Sequence, residues 1–154
     1  MALTGRCHCG RNAFHIDAGL PEKLTRCTCS LCSKRGHLYA YYPPEKFKAT
    51  QADSDAVYRW NSKLVANHFC SACGCDLYAD SPAFEPDGKW DGSTRRICVN
   101  ARLLDDFEAA DWPVTLIDGK HLWRRRPSRW RVGSRVGDSC LRKPMRVAAR
   151  QRGF

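Results

Sequence analysis

Seven cysteines in three short groups constrain this 154-residue chain more than any other sequence feature. They form a CxC pair, a CxCxxC group and a CxxC pair: Cys7 and Cys9, then Cys27, Cys29 and Cys32, then Cys70 and Cys73. Thiolates one or two residues apart can converge on one tetrahedral ion about 2.3 Å from each sulfur. Cysteines so close in sequence rarely form an unstrained disulfide with each other. The spacing therefore predicts metal sites.

The cysteine count indicates two zinc sites of different character. The two pairs supply four thiolates and predict a closed, structural zinc, and we call these residues the four-cysteine cluster: Cys7, Cys9, Cys70 and Cys73. The CxCxxC group, which we call the three-cysteine cluster, leaves one metal position open: Cys27, Cys29 and Cys32. Zinc deprotonates a bound thiol, and the resulting thiolate can add to a small carbonyl compound. A second structural zinc, completed by a fourth ligand elsewhere, is the alternative.

Two other interpretations compete with zinc. Ten cysteines are an even number, which suits a complete disulfide framework. Such frameworks belong mainly to small secreted domains, and the first residues contain no basic region followed by an apolar run of export type. An iron–sulfur cluster could use the CxCxxC thiolates, but no fourth cysteine of the usual spacing follows them. Zinc is the favoured metal.

Histidines and basic residues near the cysteines are weaker candidates. His8 lies inside the CxC pair and is expected to face solvent, whereas His37, five residues after Cys32, is a possible fourth ligand. Lys34 and Arg35 could attract an anionic thiol or simply be solvated. These four side chains stay outside the predicted metal sites.

The remaining cysteines are left out of both sites. Cys75 alternates with Cys73 along an extended chain and should face away from the first metal. Cys98 lies in an apolar segment and is expected to be a buried strand residue. Cys140, near the C-terminus, is predicted to be a free thiol.

Charge divides the chain into two parts. Residues 1–123 hold fifteen basic and fifteen acidic side chains, whereas residues 124–154 hold ten arginines and Lys143 against the lone Asp138. We expect a single neutral domain over residues 3–123 and an Arg-rich tail over residues 124–154. The longest apolar run spans only residues 38–42, so no membrane segment is predicted. Together with the free thiols, this predicts a cytoplasmic protein.

Short aromatic and β-branched segments, interrupted by Gly, Pro, Asp and Ser, predict a mainly β fold. Eight strands are predicted, over residues 13–16, 24–27, 38–42, 57–60, 64–69, 77–80, 95–100 and 114–118. Helical signals are weak, with one turn over 30–35 and a short turn or helix over 103–108. Residues 81–93 are expected to form a long surface loop that borders a site.

The motifs resemble those of a known family. GRCHCG at 5–10, CTCSLC at 27–32, FCSACG at 69–74, VNARLL at 99–104 and IDG at 117–119 are similar to the glutathione-dependent formaldehyde-activating enzymes, a family that includes the centromere protein V-type proteins. The resemblance covers about residues 3–123. It implies an Mss4-like, zinc-containing β-sheet fold, with a structural zinc on the four-cysteine cluster and a second zinc at an active site formed by the three-cysteine cluster.

The resemblance also implies an activity, which is a carbon–sulfur lyase reaction that interconverts S-hydroxymethylglutathione with formaldehyde and glutathione. No residue that contacts glutathione is identifiable from a motif. A hypothesis of another class is a non-catalytic zinc module whose basic tail binds nucleic acid or another polyanion by phosphate neutralisation. A solvated tail without a partner is the simpler interpretation of those charges. The sequence does not indicate an oligomeric state.

Overall fold

Short strands are the main regular structure in the computed structural model, which describes residues 2–85, 88–105, 107–108 and 112–122. The strands are β1 (Leu3–Arg6), β2 (Asn12–Ile16), β3 (Leu24–Cys27), β4 (Tyr39–Tyr42), β5 (Phe47–Ala52), β6 (Asp55–Tyr58), β7 (Ala66–Cys70), β8 (Asp76–Pro82), β9 (Arg95–Asn100) and β10 (Val114–Ile117). The helices are α1 (Ser30–Arg35) and α2 (Gly119–Leu122), with 3₁₀ turns at Pro44–Lys46 and Ala101–Leu103. The predicted mainly β class is confirmed.

Within the described residues the strands form two sheets. One has three strands in the order β1-β2-β5, and the other has seven in the order β10-β3-β4-β9-β8-β7-β6. β10 runs parallel to β3, whereas every other neighbouring pair is antiparallel. β4 and β9 therefore lie near the centre of the large sheet, where both of their faces can be covered.

One face of the large sheet carries the main hydrophobic core. Alternate residues of β4 and β9, such as Ala40 and Val99, are fully buried there together with Phe14 and Ile16 of the small sheet. Because successive strand residues point to opposite faces, the residues between them point to the other side of the sheet. That second face carries the candidate site described below.

Most predicted strands are present, with shifted ends. β3 and β9 have the predicted bounds, and the single helical turn predicted over residues 30–35 is α1. β6 starts two residues before the predicted segment 57–60. β8 extends to Pro82, so the loop predicted from residue 81 begins later.

Two strands were missed by the prediction, and one turn lies at a different position from the predicted one. β5 was not predicted because it is an exposed edge strand in which only Phe47 is partly buried. β1 was missed because it is short and contains Gly5. The turn or helix predicted over 103–108 lies earlier, at Ala101–Leu103, because Leu104 forms a β-bridge with Gly5 instead.

Gly5 allows β1 to lie close to the ring of Phe14 and to the Ala101–Leu103 turn. A Cβ atom at this position would lie 2.5 Å from Cζ of Phe14 and 2.7 Å from the carbonyl oxygen of Leu103. Such distances are too short for any side chain, so glycine is required for this contact.

The basic tail predicted over residues 124–154 lies outside the described residues, and its domain boundary stays a prediction. Among the residues that the structure describes, no helix is long and apolar enough to cross a membrane.

Candidate metal centres and the adjoining cavity

Four sulfur atoms from distant parts of the chain converge in the four-cysteine cluster, where the ligand atoms of Cys7, Cys9, Cys70 and Cys73 lie within 4.8 Å of one another. Sγ of Cys9 lies 3.6 Å from Sγ of Cys7 and 3.7 Å from Sγ of Cys70. Sulfurs around one ion at about 2.3 Å would be about 3.8 Å apart, whereas a disulfide requires about 2.05 Å. The described cysteines are all free. The cluster could therefore hold one metal ion.

Tight turns bring each pair of these sulfurs to the same side of the backbone. The N–H of Gly10 donates to the carbonyl oxygen of Cys7 at 3.0 Å, and the N–H of Gly74 donates to that of Cys70 at 2.8 Å. Both glycines have positive φ, at 75° and 77°. Glycine adopts this conformation without a steric penalty, so the residue after each cysteine pair lets the chain fold back around the site.

Backbone amides around the four-cysteine cluster favour thiolates. The N–H of Asn12 donates to Sγ of Cys7 at 3.4 Å. Backbone hydrogen bonds from Cys75 and Cys9 lower the pKa of Cys73 to about 6. Deprotonated sulfur is the form that binds metal, so these donors favour the ligating state.

The three-cysteine cluster is built by the end of one strand and the start of one helix. Cys27 ends β3, Cys29 is the N-cap of α1, and Cys32 lies in the first turn of that helix. Their sulfurs lie within 4.8 Å of one another. The N–H of Cys29 donates to Sγ of Cys27 at 3.4 Å, and the N–H of Cys32 donates to Sγ of Cys29 at 3.5 Å.

These three sulfurs share negative charge unevenly. Hydrogen bonds from the thiols of Cys27 and Cys32 lower the pKa of Cys29 to about 2. Contacts with the thiols of Cys27 and Cys29, together with burial, raise the pKa of Cys32. A cation among the sulfurs would favour the charged form of all three, because opposite charge stabilises thiolate. The donor set thus fits a divalent, thiolate-binding ion.

A cavity of about 180 Å³ opens beside the three-cysteine cluster, and all three of its cysteines line the wall. The second face of the large sheet forms the floor, where Tyr39 and Tyr41 of β4 lie beside Arg96 and Cys98 of β9. Asn67, Ala79 and Ser81 continue this floor across β7 and β8. Leu31, Trp60, Val65, Phe84 and Ile117 add mainly apolar walls.

A hydrogen-bonded chain of side chains supports the cavity from behind. The hydroxyl of Tyr39 and Nδ1 of His37 are 2.5 Å apart, and Nε2 of His37 lies 3.2 Å from Asp76. Asp76 also pairs with Arg35 at 2.5 Å. Tyr39 packs against Cys32, and burial and this thiol raise the pKa of the tyrosine. The network therefore fixes the aromatic floor next to the cluster.

Several residues considered from the sequence have other roles. Both ring nitrogens of His37 have partners in this network, and His37 does not belong to either cysteine cluster. His8 and Lys34 are exposed. Arg35 pairs with Asp76 and does not line the cavity.

The structure leaves Cys75 and Cys98 outside both clusters. Cys75 does not face away from the four-cysteine cluster as expected, because it packs against the buried residues Cys7 and Cys70. Cys98 is a buried strand residue, as expected, and burial raises its pKa to about 12. Arg96, Tyr39 and Tyr41 were missed as site residues because strand residues carry no local motif. Only alternation along β4 and β9 could have placed them on the face opposite the core.

Comparison with models of known families assigns the chain to one of them. The model of the family described as glutathione-dependent formaldehyde-activating enzyme (GFA) matches residues 2–111. The chain belongs to the GFA family. The matched segment contains all seven cysteines of the two clusters, so both candidate metal centres lie within the family domain.

Two proteins that are similar to this GFA protein illustrate how far the similarity extends. A Halomonas elongata protein, provisionally named glutathione-dependent formaldehyde-activating enzyme, is 30% identical over 95 residues. That match covers 53% of this chain and 58% of the relative, so the chain spans little more than half of that protein. A crystal structure of a Rhodobacter sphaeroides protein shares the fold, with a TM-score of 0.58 and 21% identity. The match covers 73% of this chain and 99% of the Rhodobacter chain.

Proposed function

We propose that this GFA-family protein is a zinc-dependent enzyme of the carbon–sulfur lyase class. It joins formaldehyde to the sulfur of glutathione, or of a related small thiol, to give an S-hydroxymethyl adduct. The observation that carries the proposal is the convergence of three cysteine sulfurs on the wall of a cavity. The family description and the name of the Halomonas relative supply the reactants.

The two clusters support different roles for two zinc ions. The four-cysteine cluster offers a complete tetrahedral ligand set, which suits a structural ion. The three-cysteine cluster offers three ligands and faces the cavity, so an ion held there would be accessible to a substrate sulfur. Zinc held by Cys27, Cys29 and Cys32 would supply Lewis acidity, which favours the thiolate form of a substrate thiol at neutral pH.

The chain's own residues hold and shield the reactants. The amides of Cys29 and Cys32 donate to neighbouring sulfurs and so orient the ligand set. Apolar side chains such as Leu31 and Val65 restrict water around the substrate sulfur. A small carbonyl compound then meets the thiolate in a confined space, where proximity favours addition.

The test is exchange between free glutathione and its hydroxymethyl adduct in the presence of formaldehyde, followed by NMR. We expect the zinc-loaded protein to accelerate exchange over the uncatalysed rate and Cys29→Ser to lose this acceleration. Cys75→Ser is the matched control, because Cys75 is a cysteine outside both clusters and the cavity. Equal exchange rates with wild type and Cys29→Ser would defeat the proposal.

Metal analysis separates the two sites. We expect about two zinc ions per wild-type chain and about one per Cys29→Ser chain, because only the three-cysteine cluster loses a ligand. Polyanion binding by residues 124–154 stays a prediction, since those residues lie outside the described part and no comparison supports it.

A further inference from the structure

Arg96 is a cationic side chain in the cavity wall that has no ionic partner among the described residues. Its Nε atom is buried without a hydrogen-bond acceptor. Its neighbour Arg95, by contrast, points to the other face of the sheet and pairs with Asp80 at 2.8 Å. Two adjacent arginines on one strand thus differ sharply in how well their charges are compensated.

The surroundings of Arg96 hold its guanidinium in place without neutralising it. The guanidinium carbon lies 4.4 Å from the centre of the Tyr41 ring, a cation–π distance. Cys98, which also lines the cavity from β9, offers the guanidinium a thiol and no carboxylate. Ser81, the cross-strand neighbour of Arg96, uses its hydroxyl to donate to the carbonyl oxygen of Pro82. None of the described residues that line the cavity is acidic.

Successive aromatic contacts connect Arg96 to the three-cysteine cluster. The ring of Tyr41, which lies under Arg96, is 6.2 Å from the ring of Tyr39, and Tyr39 packs against Cys32. The cavity therefore has a cationic group at one place and metal-binding sulfurs at another, joined by an aromatic floor. A ligand that bridges them needs an anionic group and a sulfur.

A carboxylate is the natural complement of this arginine. Guanidinium offers five N–H donors in a planar fork, and a carboxylate accepts two of them in parallel. An unsatisfied buried donor is unfavourable, so a ligand that supplies the missing acceptor gains affinity. The cavity of about 180 Å³ is below the usual range for pockets that hold drug-sized ligands, so it fits a small thiol or one end of a larger one.

We propose that Arg96 binds the carboxylate of the thiol substrate while the three-cysteine cluster receives its sulfur, which makes the cavity selective for carboxylated thiols. This inference rests on the proposed function for the fate of the sulfur. The carboxylate contact itself is testable without any turnover.

The test compares two thiols of equal length, 3-mercaptopropionate and 3-mercaptopropionamide, by calorimetric titration of the zinc-loaded full chain. We expect wild type to bind the carboxylate at least about tenfold more tightly than the amide, as for a hydrogen bond to a charged group. Arg96→Gln should bind both ligands equally. Arg95→Gln is the matched control and should keep the wild-type preference, because Arg95 does not line the cavity.

Further arms separate this inference from the proposed enzyme activity. The S-methylated forms of both ligands cannot become thiolates, so a carboxylate preference that persists with them and disappears in Arg96→Gln supports the contact even where formaldehyde exchange is absent. Arg96→Lys keeps the charge but loses the planar fork and should show a smaller preference than wild type. Thermal melts check that each variant is folded.

Glutathione is titrated beside the small thiols. A loss of affinity with Arg96→Gln makes the tripeptide a ligand of this arginine, whereas a loss confined to 3-mercaptopropionate restricts the substrate class to smaller thiols. The inference is overturned if wild type does not distinguish carboxylate from amide, or if Arg96→Gln keeps the full preference.

Discussion

Replacing Cys70 with serine tests whether the four-cysteine cluster stabilises the fold through a bound ion. Cys70 is fully buried, and its sulfur lies 3.7 Å from that of Cys9. Serine preserves the size of the side chain but offers a hydroxyl in place of the soft thiolate that zinc prefers. The variant should therefore fold with a much weaker metal site.

The magnitude follows from linkage between metal binding and folding. An ion present at 1,000 times its Kd, and bound only by the folded chain, stabilises that chain by about 4.1 kcal/mol. A domain of roughly 120 residues has an unfolding entropy of about 0.25 kcal/mol/K, so losing this contribution lowers Tm by about 16 °C. Such a loss is a large fraction of the total stability of a typical domain.

The assay is thermal unfolding, followed by circular dichroism, of wild type, Cys70→Ser and Cys75→Ser in excess zinc and after chelation. Cys75 is a suitable control because it packs beside the cluster without belonging to it. We expect only Cys70→Ser to melt early in zinc, and chelation to lower the Tm of wild type towards that of the variant. Equal melting of wild type and Cys70→Ser in zinc, or a wild-type Tm that chelation leaves unchanged, would refute the reasoning.

Three further predictions concern packing, metal affinity and thiol reactivity. Gly5→Ala should lower the free energy of unfolding by about 1–3 kcal/mol through overpacking, whereas Gly19→Ala, with open space around its Cβ, should be near neutral in denaturant titrations. Tyr39→Phe should weaken zinc binding at the three-cysteine cluster about tenfold in chelator competition, and unchanged affinity would contradict a supporting role. In metal-free protein, a pKa of about 2 keeps Cys29 a thiolate as the pH falls, so mass mapping should find it alkylated at pH 6 while Cys98, with a pKa of about 12, stays unmodified. Zinc should protect Cys29, and equal labelling of both cysteines would contradict this assignment.

Local sequence predicted which cysteine sulfurs lie together because the geometry of each cysteine group is itself local. That these sulfurs bind metal stays a prediction. A CxxC turn followed by Gly74 brings two sulfurs together within a few residues. Strands β3 and β9 were likewise predicted with the bounds seen in the structure. The edge strand β5 was not, since its polar, exposed residues are held by pairing with β2 and not by burial.

The sequence by itself determined the family, the mainly β class and the three groups of cysteines, since these depend on residue type and short spacing. Only the tertiary structure decided which side chains share the cavity with the three-cysteine cluster. Arg96, Tyr41 and Ser81 come from three strands, and their meeting depends on the register between β4, β9 and β8. A shift of one residue would turn Arg96 to the core face, so its position is a property of strand pairing that no local motif contains.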